Sequence, residues 1–380
     1  MEFFDMLKTA YQKIAQESEI RPAGSQRTYL NGLPEPTDDL QRSFLQYKCQ
    51  MHLAGPLRRA AYQCAAAVLL LIPRQMRTYA SCAPADAVYA FIEGMDVLPN
   101  SLRREFSSLE HRQDYLNYFV LTKADREFLN QLRRRYPFAF YFRYKCLLKV
   151  GMYRAILDAY HPKALIVSGE YSFTSSVLTA YCQQLGVEHI NVMHGEKLFH
   201  IRDSFFRFHR CYVWDDFYCR LFTRLRAEPT QFQTELPPAQ LPWHYPDVAK
   251  TVDYTYYLQS ESEAALRKIM QALQQFRTKG AVVAVRPHPR YTDDALVHEL
   301  FQGFLIENKS EIGIEQSVLR TKRAISLYST VLFQAYSNNV PIIIDDVSSP
   351  ERYHRLEEME YIMLHKPHTL LSEHLKEGNI

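Results

Sequence analysis

Two short stretches of this chain carry side chains suited to handling a phosphate. Arg286-Pro287-His288-Pro289-Arg290 sets a histidine between two prolines and two arginines, and Ser329-Thr330 stands just ahead of the helical pattern Val331 to Ser337. A histidine on a rigid, cationic turn can donate to a phosphate that is becoming a leaving group. Hydroxyls and backbone N–H groups at a helix start form an anion site. The apolar runs Val282 to Val285, Ala324-Ile325 and Pro341 to Ile344 flank these pieces. The rhythm is strand, loop, helix, strand, that of a parallel sheet whose ligands sit at the strands' carboxyl ends. A lone His-Pro would be an ordinary turn; the two pieces in register with strands read better as a nucleotide-phosphate pocket.

A second set lies upstream. Ala164 to Val167 reads as a buried strand ending in Ser168-Gly169-Glu170, Val187 to Met193 as another ending in His194-Gly195-Glu196-Lys197, and Cys211 to Trp214 as a third ending in Asp215-Asp216. Helix 173–185, closed by Gly186, joins the first two. Val88 to Ile92 is a further strand candidate, with Glu93 at its end. Glu170, His194 and Glu93 are therefore candidates for a general base, because burial can tune a carboxylate towards neutral pH and a histidine already titrates there. The acid pairs Asp215-Asp216 and Asp345-Asp346 do not make an Asp-x-Asp metal site, and seven scattered cysteines show no metal-ligand rhythm.

The elements that must position these groups fall into two parts. Residues 1–20 have a charged helical pattern, a Pro/Gly-rich connection follows, and helix resumes near Asp38. The dense apolar stretch 57–80 is predicted to be a buried helix ending near Pro73; its longest apolar run, Ala65 to Ile72, is far below the roughly 20 residues of a membrane span. Residues 101–162 are helical in pattern and hold a basic-aromatic run from Arg133 to Arg154. That run is either a solvated face over a core, as such runs usually are, or a patch touching an anionic membrane or an acidic glycan. The proline-rich segment 228–250 reads as an interdomain connection; Asp253 to Gln259 restarts the strand pattern, Glu261 to Thr278 is an amphipathic helix, and helices are expected over 350–361 and 367–376.

With 380 residues and 47% apolar content the chain can build two domains, and a net charge of +3 gives no case for nucleic acid. Unpaired cysteines and a start without an apolar secretory core point to the cytoplasm, with peripheral contact at the inner face of the cell membrane as the further expectation from the basic-aromatic run.

The His-Pro turn with a downstream Ser/Thr pair, in the C-terminal of two Rossmann-like halves, resembles the GT-B glycosyltransferases with HP and S motifs. These are bacterial sialyltransferases and their relatives, the Kdo transferases of capsule assembly and the teichoic-acid glycerophosphotransferases. The resemblance covers residues 162–350 and hardly touches the N-terminal third. It implies an α/β GT-B fold, two Rossmann-like domains facing a central cleft. Residues 1–245 would be the acceptor-binding domain with a helical N-terminal part, and 246–380 the nucleotide-sugar domain. It further implies that His288 assists departure of CMP, with Arg286, Pro289, Arg290, Ser329 and Thr330 around the donor phosphate and Glu315 on the ribose. Arg286, Arg290 and Lys197 could receive a donor carboxylate. The expected reaction moves sialic acid or a related keto-acid sugar from a CMP-linked donor to a hydroxyl of a bacterial surface-glycan acceptor (capsule or lipopolysaccharide), without a metal. The rivals are a CDP-glycerol or CDP-ribitol phosphotransferase and a non-catalytic nucleotide-binding assembly protein. The acidic doublet before glycine that supplies the sialyltransferase base is missing. Glu170 ranks first in its place, and His194, which matches the His-Gly histidine of the glycerophosphotransferase branch, follows closely.

Overall fold

The computed structural model describes residues 22–376 apart from 81, 92, 93, 244–247 and 309. The helix expected over residues 1–20, Glu93 and the expected boundary at 245/246 lie outside the described residues. The chain groups into two compact units: one runs to His194 and resumes over Phe199–Ala239, the other holds Gly195–Leu198 and the chain from Gln240 onward.

The first unit is built on a six-stranded sheet in the order β2-β1-β3-β4-β5-β6. Its strands are β1 (Ala87–Tyr89), β2 (Leu109–His111), β3 (Ala164–Val167), β4 (Glu188–Val192), β5 (Arg210–Val213) and β6 (Phe232–Thr234). All five pairings are parallel. β3 is buried along its whole length because helices cover both faces of a parallel sheet, which is why Ala164 to Val167 is a continuous apolar run. β2 and β6 escape the sequence reading: they are three-residue edge strands without an apolar run.

The 31-residue helix Asp39–Leu69 opens at Asp38, whose side chain accepts from the Gln41 N–H, and kinks at Gly55, with φ of 77°, ahead of Pro56. Proline lacks the N–H and crowds the preceding turn, and glycine takes the left-handed backbone that the kink demands. Up to the kink, Leu45, Tyr47, Cys49, Met51 and Leu53 are buried; beyond it only Ala66 is. The expected buried helix over 57–80 is therefore corrected: after the kink it is a helix lying on the surface. It is held by Tyr62 stacked on Tyr141 at 4.9 Å and by Gln63, which donates to the Tyr47 hydroxyl at 2.8 Å and accepts from the Tyr141 N–H at 2.9 Å.

Within the basic-aromatic run, Arg133, Arg134 and Arg135 are exposed, whereas burial lowers Lys149 to about 8. Arg154 turns inward onto buried Asp125 at 3.1 Å, and that carboxylate also accepts from the Thr122 N–H and the Tyr181 hydroxyl, both at 2.7 Å. The run is thus partly internal scaffold and not one continuous patch.

The second unit carries another six-stranded sheet, in the order β12-β11-β10-β7-β8-β9. Its strands are β7 (Val252–Tyr257), β8 (Val283–Arg286), β9 (Leu305–Ile306), β10 (Thr321–Ser326), β11 (Ile342–Ile344) and β12 (Thr369–Leu370), again all parallel. The chain builds β7-β8-β9 in one direction, returns to the middle and builds β10-β11-β12 in the other, the Rossmann order. Helix Glu263–Thr278, capped by Ser262, packs Leu266, Ile269, Leu273 and Phe276 onto Val283, Val285 and Ile325. β12 replaces the start of the helix expected at 367; the helix itself runs over Leu371–Lys376.

Asp125 is expected to anchor the first unit. Asp125→Ala takes from Arg154 its buried partner and leaves it only the exposed Asp158, and urea unfolding should show a loss of about 3–5 kcal/mol, the range for breaking a buried ion pair by removing one member.

Candidate functional site

The reversal of strand order at β7 and β10 places a crevice at their carboxyl ends, the position where open parallel sheets bind ligands. A pocket of about 240 Å³ lies there, lined by Tyr257, Leu258 and Gln259 after β7, Arg286 to Pro289 after β8, Ile314, and Ser329, Thr330 and Val331 after β10. The sheet therefore brings Arg286, His288, Pro289, Ser329 and Thr330 together. Arg290 is exposed and does not line the pocket. Glu315 does not line it either; it borders a separate cavity of about 370 Å³ with Val248, Gly313, Gln316 and Leu319.

Each group is held in a defined state. Ser329 caps the helix Thr330–Ser337, its hydroxyl accepting from the Val331 N–H at 3.2 Å and from Gln259 Nε2 at 2.9 Å. The His288 N–H donates to Thr292 Oγ1 at 2.8 Å, and that hydroxyl donates to the Gln259 carbonyl at 2.8 Å, tying the His-Pro turn to the end of β7. His288 Nδ1 accepts from the Arg290 N–H at 3.1 Å. Burial, followed by the nearby charge of Arg290, lowers the His288 pKa. The ring is then neutral near pH 7 with its proton assigned to Nε2, a donor rather than a base. Tyr291 stacks on the imidazole with centroids 4.5 Å apart.

Arg286 is not a loose cation. Its guanidinium donates to buried Glu307 at 3.2 Å, and Glu307 also receives Arg320 at 2.7 Å and the Ser317 hydroxyl. Two guanidiniums around one carboxylate leave one net positive charge, held still at the pocket wall. Glu307, Arg320, Gln259 and Thr292 went unrecognised in the sequence; only Glu307, a lone acid just after the short apolar pair Leu305-Ile306, gave any local signal.

The first unit holds its own constellation at the ends of β3 and β4. The Ser168 hydroxyl hydrogen-bonds His194 Nδ1, and Glu170 Oε1 lies 3.9 Å from the same nitrogen. Phe91, after β1, meets the His194 ring edge-on at 5.6 Å. The Glu170 side chain is fully buried, while that of His194 retains 26% exposure. Asn191 donates to Glu170 Oε2 at 3.1 Å and accepts from the Gly169 N–H at 2.7 Å, so β4 fixes the loop after β3. Of the pair, His194 is the one that solvent or a substrate can reach; Glu170 sits behind it.

Among the described residues no group of three or more His, Cys, Asp and Glu is placed to hold a metal ion. Lys197 is buried. Glu196, in the segment that groups with the second unit, has both carboxyl oxygens buried with no hydrogen-bond partner among the described residues, and burial raises its pKa to about 8.

The two sheets define an α/β protein of two Rossmann-like units, the two-domain class expected of a GT-B chain. No protein-family model and no curated protein matches the chain. Among solved structures it is similar to a putative UDP-N-acetylglucosamine 2-epimerase from Listeria monocytogenes (11% identity, 77% of this chain and 86% of that chain, TM-score 0.44). It is also similar to the wall teichoic acid polymerase TagF, H548A (11% identity, 89% and 87%, TM-score 0.40), and to the lipopolysaccharide outer core galactosyltransferase WaaB in its apo form (12% identity, 70% and 82%, TM-score 0.41). At this level of similarity they carry no residue or ligand over to this chain.

Two variants test the buried carboxyls. Glu307→Ala should lower stability by about 3–5 kcal/mol in urea unfolding, because two guanidiniums lose their shared partner. For Glu196 the folded state keeps a proton that the unfolded chain gives up near pH 4.3, so this contribution is fully present below about pH 4.3 and is lost as pH rises through about 8. Melting of Glu196→Gln should therefore match wild type in acid and exceed it increasingly up to pH 9.

Proposed function

We propose that this chain is a transferase acting on a cytidine-nucleotide-activated donor, with the donor phosphate in the pocket of the second unit. One observation carries the reading: a ligand-sized pocket at the β7/β10 switch point joins a neutral, donating His288, a clamped Arg286 and the Ser329-capped helix start. Those are the groups that stabilise charge on a departing phosphate. Specificity for cytidine comes from the resemblance of the His-Pro turn and the Ser/Thr pair to the HP and S motifs.

In the leading form, an acceptor hydroxyl of a surface glycan loses its proton to a base as its oxygen bonds to the anomeric carbon of a keto-acid sugar. The bond from that carbon to the phosphate oxygen breaks, and CMP leaves with the electron pair, its charge met by His288 Nε2–H, Arg286 and the helix N-terminus. The configuration inverts, and no metal is needed for this discharge. The base is His194, with the Glu170 carboxyl 3.9 Å from its Nδ1 as a positioning group.

The same observation at His194 favours a second reading. A histidine base with no acid doublet belongs with polyol-phosphate transfer, in which the acceptor oxygen attacks the outer phosphorus of CDP-glycerol or CDP-ribitol and CMP again departs.

A thermal-shift series with CMP, CDP, UDP and GDP comes first. CMP and CDP should raise the melting temperature, and His288→Ala should abolish the shift, since a ligand binding only the folded state stabilises by mass action. Stabilisation by UDP or GDP alone refutes the cytidine assignment. Turnover with CMP-sialic acid, CMP-Kdo and CDP-glycerol then separates the two donors. His194→Ala should lose about 10²–10⁴ in turnover, the usual worth of a general base, while keeping the nucleotide shift.

A further inference from the structure

Between Asp39 and Asp86 the chain has no acidic residue, yet it carries Arg58, Arg59, Arg74 and Arg77 along the exposed second half of the kinked helix and the segment after it. Leu57 is 87% exposed, Leu71 83%, Val68 60%, Met76 57% and Ile72 55%. Leu57, Ala61, Cys64 and Val68 recur at helical spacing, and Leu71, Ile72 and Met76 follow the helix end at Leu69. Apolar side chains this exposed, following one another along the chain among cations, are what a soluble monomer avoids.

We propose that this surface, Leu57 to Arg77 in the first unit, docks the protein onto an anionic lipid bilayer, with the leucines in the headgroup boundary and the arginines on lipid phosphates. The geometry suits lying on a membrane: no helix of the described residues is long and apolar enough to cross one. Beyond the kink at Gly55-Pro56 this half of the helix lies at the surface, with Tyr62, Gln63 and Ala66 among the residues that tie it back. Arg74 is seated over the rings of Tyr144 and Phe119 at 5.4 and 5.7 Å, so this cation is fixed beside the apolar surface. A second copy of the chain meeting the same patch through a two-fold axis would bring these arginines against one another with no carboxylate in the segment to pair them. An anionic surface removes that conflict and attracts each arginine.

Co-sedimentation of the full chain with vesicles tests this, using equal parts phosphatidylglycerol and phosphatidylcholine against phosphatidylcholine alone. The protein should sediment with the anionic vesicles, weakly or not at all with the neutral ones, and less at high salt. Arg59→Glu with Arg77→Glu should weaken binding by at least about fivefold for each arginine lost, and Leu57→Glu with Leu71→Glu should abolish it. The leucine variant should keep the wild-type circular dichroism and nucleotide thermal shift, which separates this surface from the His288 pocket. Any of three results overturns the proposal. These are no sedimentation of wild type with anionic vesicles, unchanged sedimentation of the leucine variant while Phe3→Glu with Phe4→Glu abolishes it, or a wild-type dimer that the leucine variant splits without any vesicle binding.

Discussion

The constraint on which the candidate donor site depends is the divergence of the chain at β7 and β10. Two neighbouring parallel strands whose following segments leave in opposite directions cannot be bridged by a connection at their carboxyl ends, so a crevice stays open there. Everything placed in it arrives by that geometry. Gln259 comes from the end of β7, the His-Pro turn from the end of β8, and Ser329 from the end of β10. The hydrogen bonds among Gln259, Thr292, His288 and Ser329 do not create the pocket. They fix the side chains of three strand ends in a space that strand order already provides.

Charge placement follows from the same crowding. A guanidinium at the wall of a pocket beside a covered sheet needs a counter-charge, and Glu307 supplies one while also holding Arg320 and Ser317. The arrangement restrains Arg286 and leaves a net positive site for an anion. His288 is handled the opposite way: burial and a neighbouring cation keep it neutral, so it can donate without adding a second fixed charge. In the first unit a histidine is again the reachable group and a carboxylate is buried behind it.

How far the sequence could be read depended on what each signal encodes. Continuous apolar runs such as Ala164 to Val167 and Ile342 to Ile344 mark strands covered on both faces, and they were legible as such. β2, β6, β9 and β12 are two- or three-residue edge strands, held by a neighbour's backbone and by no pattern of their own. Arg286, His288, Ser329 and Thr330 were legible because a proline-locked turn and a capping hydroxyl are local features. Glu307 was not, because its role comes from packing against Arg286 and Arg320, residues 21 and 13 positions away. Glu315 shows the reverse case: helix Ile314–Arg320 does pass the pocket, but Ile314 lines it while Glu315 borders another cavity. Position along a chain predicts proximity to a site far better than it predicts which way a side chain points. Strand-end position does not separate Glu170 from His194; depth does, since the first is covered and the second keeps part of its exposure.

The apolar stretch after Gly55 teaches a related point about burial. Hydrophobicity and helical spacing identify a face that avoids water, and a protein core is only one way of satisfying it. What separates the alternatives in Pro56 to Arg77 is the company the apolar residues keep. A core helix of the first unit, Phe140–Tyr160, buries Phe142, Tyr144, Val150, Tyr153, Ile156 and Tyr160, large side chains that fill space against a sheet. In the kinked half Ala66 is buried and Tyr62 and Gln63 are half-buried, whereas Leu57, Val68 and Leu69 stand exposed beside Arg59. Large apolar residues turned outward are the reverse of a packed surface helix. Such an inversion stays soluble only if the outward face has a medium of its own, and the absence of any carboxylate across that segment selects a medium of negative charge.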